Sequence, residues 1–460
     1  MLLSLCFLEH DGVLERTIPW FSLMPLFISL DRHRRNLKWR LLHCFFFGAI
    51  LCCWPLLSAG AFELPTISGA VWASLPMIGT WMLFCAAGGF LLQRPSRLAV
   101  VPGLAVAWSG IEYLRVECIP LGTSWMQLGQ ALKPEHPEGQ LAAALGLAGL
   151  GFTICLVNGA FFLALRERQG RVQLYSALAG ALGVISLLVL GSLTGAPADH
   201  PDRPAHEALR IGIVQTDKGG PADHLELARQ LLNSRPQLIF FPGDAFVATP
   251  GQPGLKTGLS TLAREEEVAL VAGLVPEQGR NGALVYIAGG GRHEDTARGE
   301  TLVIETKQEQ SILAVSDRVS QSAYRMARLA ANGAQLYLVA GDGTQSGVEN
   351  ELLRNRLLAF RAVETGTYIC RATSAGSSSI IDQLGVTLAE APRNQAWASV
   401  TSVPFIDPVH DRTWFVRGGW LIGPACLLAL GLLAFLLSLS LWKGPVGSRG
   451  GRPQDNTSPS

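Results

Sequence analysis

Three side chains in the second half of the chain are of the types that nucleophilic chemistry uses, and each stands in or beside an apolar run. Asp244 follows Gln237-Leu238-Ile239-Phe240-Phe241-Pro242 after a single glycine, Gly243. Ser316 ends the run Ser311–Val315, and Cys370 lies inside Tyr368-Ile369-Cys370. A hydroxyl or thiol can attack an ester, a carboxylate can move protons, and a cation can hold the oxyanion that develops. Lys307, in Glu305-Thr306-Lys307-Gln308-Glu309, is the only lysine between Gly282 and Ser311. Each of these residues also has a plain structural reading. Asp244 suits a Pro-Gly-Asp turn that bonds its own backbone, and Ser316 suits a strand-end serine that caps or turns the chain. Cys370 reads as a small buried thiol, and Lys307 as a solvated turn charge.

The elements that would position these groups alternate between strand and helix. Leu209-Arg210-Ile211-Gly212-Ile213-Val214-Gln215 reads as a strand, His224–Asn233 as a helix, and Gln237–Pro242 as a second buried strand. Further strands are expected at Val268–Leu274, Ala283–Ala288, Thr301–Thr306, Ser311–Val315, Gln335–Val339, Tyr368–Ala372 and Ser378–Ile381. The alternation predicts an α/β layered fold. Asn332-Gly333-Ala334 turns a helix into a strand, and Gly366 suits the helix stop before Tyr368. Arg361 and Glu364 lie three apart on one helix face and can pair. Glu349, Arg354 and Arg356 read as the polar face of that helix.

Outside this region the chain is membrane-like. It has 460 residues, 48% hydrophobic and only 16% charged, with a mean hydropathy of +0.28, which is too apolar for an ordinary soluble enzyme. The net charge of +1 gives no basic field for nucleic acid. The nine cysteines lie mostly in apolar runs, so neither a disulfide framework nor a CxxC metal pair is expected, and no cofactor or metal.

Residues 1–193 are expected to form an N-terminal membrane domain with spans near 41–62, 69–92, 98–113, 141–165 and 174–193, plus a partial span at 18–30. A Pro-rich linker, 194–208, leads to a domain at 209–417. A C-terminal transmembrane helix at 419–442 and a cytoplasmic, disordered tail at 443–460 follow. Basic clusters at Arg32–Arg40, at Arg94 and Arg97, at Arg166, Arg168 and Arg171, and at Lys443, Arg449 and Arg452 all fall on one side by parity. The positive-inside rule makes that side cytoplasmic, so the 209–417 domain is expected on the periplasmic, extracytoplasmic face of a bacterial inner membrane. The spans lack the paired mid-membrane charges of an ion transporter.

The stretch Ala340-Gly341-Asp342-Gly343-Thr344-Gln345-Ser346-Gly347, continued by Arg361–Gly366 and Arg371–Gly376, resembles the C-terminal half of a nitrilase, or carbon-nitrogen hydrolase, domain. Trp108, Glu112, Arg115, Trp125, Gly129, Gly149 and Asn158, with Arg412-Thr413-Trp414-Phe415-Val416-Arg417-Gly418 before the last helix, are similar to the apolipoprotein N-acyltransferase family. The resemblance implies an αββα nitrilase-like sandwich joined to a multi-span helical membrane domain. It also implies transfer of an acyl chain from phospholipid, through a cysteine, to the N-terminal cysteine of a lipoprotein.

The family's catalytic glutamate, lysine and cysteine are not retained. The acid position corresponds to Gly243 and the nucleophile position to Ser316, while the chain passes Gly289-Gly290-Gly291 where the family keeps its lysine loop. The resulting reading is a catalytically inactive homologue that binds lipid, lipoprotein or a partner. The alternative is an active acyltransferase with Ser316 as nucleophile and Asp244 as base.

Overall fold

In the computed structural model, residues 16–442 are described, apart from 59–63, 94–96, 120–123, 125, 168–169, 195–207, 217–219, 249–253, 277–282, 288–292, 298–300, 306–310, 342–347, 375, 394 and 405–411. Most of the expected linker, the C-terminal tail, Trp125, Lys307, Arg94, Arg168 and the loops at 289–291 and 342–347 therefore lie outside the described residues. The apolar runs of the N-terminal half are helical. They form α1 (Met24–Arg32), α2 (Leu37–Ser58), α3 (Leu64–Leu91), α4 (Arg97–Tyr113), α5 (Ala142–Arg166) and α6 (Gly170–Thr194). Among the described residues, three stretches are long and apolar enough to cross a membrane: Ala142–Arg166, Gly170–Leu193 and Gly419–Leu436.

Their surroundings differ. The α5 helix is mostly buried, whereas α6 turns Leu174, Leu178, Leu182, Ile185, Val189 and Leu193 outward. An apolar stripe of that length is costly in water and natural against hydrocarbon. The run at 18–30 forms a 3₁₀ turn, Ile18–Trp20, followed by the nine-residue α1. It buries Trp20, Leu23, Leu26, Phe27 and Leu30 in the helical core. Asn158 of α5, fully buried, holds it there: its Oδ1 accepts from Leu23 N at 2.9 Å and its Nδ2 donates to Pro19 O at 2.9 Å. Cys85 of α3 is disulfide-bonded. Scattered apolar cysteines did not suggest this, because pairing depends on which helices pack together and not on spacing along the chain.

The second half folds into two sheets. The strands of the first are β1 (Ala208–Gln215), β2 (Leu238–Phe240), β3 (Phe246–Ala248), β4 (Ala269–Pro276), β5 (Ala283–Ile287), β6 (His293–Ala297) and β13 (Trp397–Pro404). They run in the order β13-β1-β2-β4-β5-β6, with β3 added beside β4. The second sheet contains β7 (Thr301–Glu305), β8 (Ser311–Ser316), β9 (Leu336–Ala340), β10 (Tyr368–Ala372), β11 (Ser379–Ile381) and β12 (Thr387–Glu390). Its order is β12-β11-β10-β9-β8-β7.

The central strands of each sheet are parallel and buried on both faces, so they read as continuous apolar runs. Ile211, Ile213, Leu238 and Phe240 of the first sheet meet Ile312, Ala314, Leu336 and Leu338 of the second in one core. On the outer faces lie α7 (Pro221–Leu232) and α8 (Gly254–Glu265) against the first sheet, and α10 (Ala323–Ala331) and α11 (Val348–Thr365) against the second. The short α9 (Asp317–Gln321) follows Ser316, and α12 (Ile422–Trp442) closes the chain. The layering is the αββα sandwich that the family resemblance implied. The strands β3, β6, β12 and β13 were not expected.

The two halves are stitched together by carboxylates. Glu364 of α11 accepts the Leu147 backbone N–H at 2.8 Å, next to Gly146, whose φ of +64° interrupts α5. Glu117 accepts from Ser322 Oγ at 2.6 Å and from Ala323 N at 2.8 Å at the start of α10.

Candidate functional site

Parallel strands in both sheets bring their C-terminal ends to one edge of the sandwich. Ser316, at the end of β8, is in register with Ala340 of β9, which is in register with Ala372 of β10. From the other sheet, the segment after β2 reaches across: Gly243 N donates to Gly341 O at 3.0 Å, and Gly341 N donates to Ala372 O at 2.8 Å. The fold thus gathers Gly243, Asp244 and Ser316 at the same end. Open strand ends of this kind, where the backbone leaves the ladder, are where layered α/β folds carry chemistry.

Their side chains do not form one constellation. Asp244 accepts a hydrogen bond from Ser374 Oγ, just beyond β10. Ser316 stands at the N-cap position of α9 in extended conformation, yet its side chain makes no capping bond. Its buried Oγ has no hydrogen-bond partner among the described residues. A hydroxyl becomes a useful nucleophile only when a base takes its proton, and here neither Asp244 nor any other described group hydrogen-bonds to it. A buried polar atom left unpaired is costly, about 1–3 kcal/mol, so the strand-end cap expected from the sequence is not what holds Ser316 in place. Gly243 is also tightly framed. A Cβ there would lie 3.0 Å from Gly341 O and 3.4 Å from Ala340 Cβ. Cys370 is fully buried in the inter-sheet core, where burial pushes its thiol up to about 12, far from the thiolate needed for attack.

Next to Asp244 is a group that the sequence reading missed. His224, on α7, is fully buried. Its Nδ1 is 3.0 Å from Gly220 O and its Nε2 is 3.1 Å from Thr216 Oγ1, at the end of β1. A carbonyl only accepts, so Nδ1 carries the proton and Nε2 accepts from the Thr216 hydroxyl. Burial lowers the imidazole pKa, against the opposing pull of Gly220 O and of the nearby Asp244 and Asp223. The signal was present in the sequence: His224, Ala228 and Leu231 share one helix face at core spacing.

Arginines support this end from behind. Arg354 Nη1 pairs with Asp317 Oδ2 at 2.7 Å, so it is no simple solvated face. Arg356 Nη1 reaches Gln130 O in the membrane half at 3.4 Å. Arg361, fully buried, pairs with Glu364 and donates to Ser320 O at 3.2 Å and Gln321 O at 2.9 Å. Those are the carbonyls at the end of α9. Arg371 pairs with Glu351 at 2.6 Å, both buried. The pairing of Arg361 with Glu364 was legible in the sequence, but its use to tie α9 to Leu147 was not.

Residues 2–160 match the family model of the apolipoprotein N-acyltransferase N-terminal domain. A curated apolipoprotein N-acyltransferase from Gloeobacter violaceus is 31% identical over 126 residues, 26% of this chain and 22% of that protein, so the match spans about a fifth of the relative's length. Among solved structures, two forms of a nitrilase-superfamily amidase from Nesterenkonia sp. AN1 superpose. A double mutant in complex with acrylamide does so with a TM-score of 0.38 at 19% identity, over 48% of this chain and 99% of the amidase. A cysteine-to-alanine mutant does so with a TM-score of 0.39 at 20% identity, over 47% and 99%.

Proposed function

We propose that this chain, a relative of the apolipoprotein N-acyltransferases across residues 2–160, is a catalytically inactive homologue that binds lipid, a lipoprotein N-terminus or a partner. The observation that carries the reading is the state of the strand-end site. The acid position is Gly243, packed against Gly341, and the nucleophile position holds a hydroxyl with no hydrogen-bond partner among the described residues. The carboxylate beside the acid position, Asp244, is engaged by Ser374. Acyl transfer through Ser316 would need that carboxylate, or another base, within hydrogen-bond reach of Oγ. A thiolate is not available from Cys370 either, because that residue is sealed between the sheets. What persists is the framework: the sandwich, the Arg361–Glu364 tie and the helical half.

We further propose that the sandwich is extracytoplasmic and that the outward apolar faces of α6 and α12 contact lipid. The one-sided basic clusters support the first statement. The exposed Leu428, Leu432, Phe435 and Leu436 support the second.

The deciding experiment is intact-mass measurement of the purified full chain incubated with phospholipid vesicles. No acyl adduct is expected. An adduct that disappears in Ser316→Ala would overturn the inactive reading in favour of acyl transfer through that serine.

A further inference from the structure

Arg40, in the first turn of α2, is a buried cation that no carboxylate meets among the described residues. It is 7% exposed. Its one side-chain hydrogen bond among the described residues runs from Nη1 to Ala86 O of α3, at 3.3 Å. Nε is buried with no partner among the described residues. A guanidinium presents a fork of N–H donors, and a buried charge ordinarily has an ionic partner or a full set of hydrogen bonds.

The surroundings hold this side chain in place without neutralising it. Gly89, in the last turn of α3, leaves the space that the guanidinium occupies: a Cβ there would overlap Arg40 Nη1. Gln93 Nε2 donates to Gly89 O at 3.0 Å and to Arg34 O at 2.6 Å, which fixes the turn before α2 at the same point. The carbonyl end of α3 supplies about half a unit of negative charge, enough to offset only part of one guanidinium. Asp31, the only acidic residue between Arg16 and Glu63, is taken by Arg34 at 3.4 Å and by Arg166 at 3.2 Å. Arg32, Arg35 and Lys38 add further cations. A surplus of positive charge thus surrounds a fixed guanidinium, an arrangement suited to an anion with several acceptor oxygens.

We propose that this nook, between the turn at 33–36 and the end of α3, binds a phosphate group, with Arg40 as its principal donor. The site is remote from the sandwich. From the end of α3, the 17 residues of α4 carry the chain about 25 Å to Tyr113, near the bonds of Glu117 to the start of α10. The proposal is independent of the inactive reading and of the Gly243–Ser316 end. Phosphate oxygens can reach such a nook as a free anion or as the phosphodiester of an anionic lipid, and the two sources are separable.

The test is thermal unfolding of the full-length protein in detergent. One arm compares sodium phosphate with sodium chloride of equal ionic strength, and the other compares phosphatidylglycerol with phosphatidylcholine in mixed micelles. At about a tenfold excess over Kd, a ligand of the folded state should raise Tm by about 3–6 °C. A rise with sodium phosphate identifies a free anion, and a rise with phosphatidylglycerol alone identifies a lipid phosphodiester. Either rise should vanish in Arg40→Gln, which keeps a donor for Ala86 O and loses the charge. Gly89→Ala, which forces the guanidinium away from α3, provides the same reading should the first variant fail to fold. No rise with either probe, or a rise that survives in the folded variant, would overturn the proposal and leave Arg40 as a cap on the carbonyl end of α3. The inactive reading of the sandwich would stand in every case.

Discussion

Replacing Glu364 by alanine should destabilise the protein more than any other single change at the junction of its halves. The carboxylate is fully buried, pairs with Arg361 and accepts the Leu147 N–H at 2.8 Å. Alanine would leave Arg361 charged and enclosed, and it would strand a buried backbone donor. Removing one partner of a buried pair costs about 3–5 kcal/mol, and an orphaned donor adds about 1–3 kcal/mol. Taking the lower figure of about 4 kcal/mol, and about 2–4 °C per kcal/mol for a unit of this size, the unfolding temperature should fall by about 8–16 °C. Glu364→Gln retains an acceptor for Leu147 and should fall by less. In the double change Arg361→Leu with Glu364→Leu, both charges leave together, so part of the loss should return. Full recovery is not expected, because Arg361 also holds Ser320 O and Gln321 O. Tryptophan fluorescence during thermal unfolding in detergent reads all three. A Glu364→Ala protein melting within about 2 °C of the parent would refute the view that this pair ties the halves together.

Acid should weaken the sandwich through His224. Its folded pKa is lowered below the ordinary value of 6.5 by burial, so its stabilising contribution is present above about pH 6.5 and is lost as pH falls through the lowered folded value. Thermal unfolding should show a decline below pH 6.5 that is shallower in His224→Asn; identical profiles would contradict it. Gly243→Ala should cost about 1–3 kcal/mol by overpacking against Gly341 O and Ala340 Cβ, seen as a lower denaturant midpoint. On the inactive reading, the double variant Gly243→Glu with Ser316→Cys should fail to replace an active N-acyltransferase in cells depleted of one, because Gly289-Gly290-Gly291 stands where the family resemblance implies a lysine loop for the oxyanion cation, a loss of about 2.7–4 kcal/mol; growth would count against that reading. Reporter fusions after Pro204 and after Pro453 should report opposite sides of the membrane, and matching answers would remove the topology.

The sequence by itself determined where the elements lie. Apolar length marked the helices α2 to α6 and α12, because a run of about 20 apolar residues has few other solutions. Continuous apolar strands such as Leu238–Phe240 and Leu336–Ala340 announced the buried strands of an α/β layered fold, and the family resemblance implied their sandwich arrangement. The residue types at Gly243, Asp244 and Ser316 and their places at strand ends were visible in the sequence. Short or exposed strands escaped: β12 has mostly exposed side chains, so it lacks the alternation that marks a half-buried strand.

The tertiary structure alone decided what those residues touch. Asp244 and Ser316 arrive at one end of the sandwich, yet Asp244 turns to Ser374 while Ser316 Oγ finds no hydrogen-bond partner among the described residues. His224 faces Thr216, and Glu364 spans 217 positions of sequence to reach Leu147. Such partnerships are contacts between elements distant in the chain. Local propensity and periodicity carry no information about them, because they are fixed only when two sheets and a helical bundle have packed.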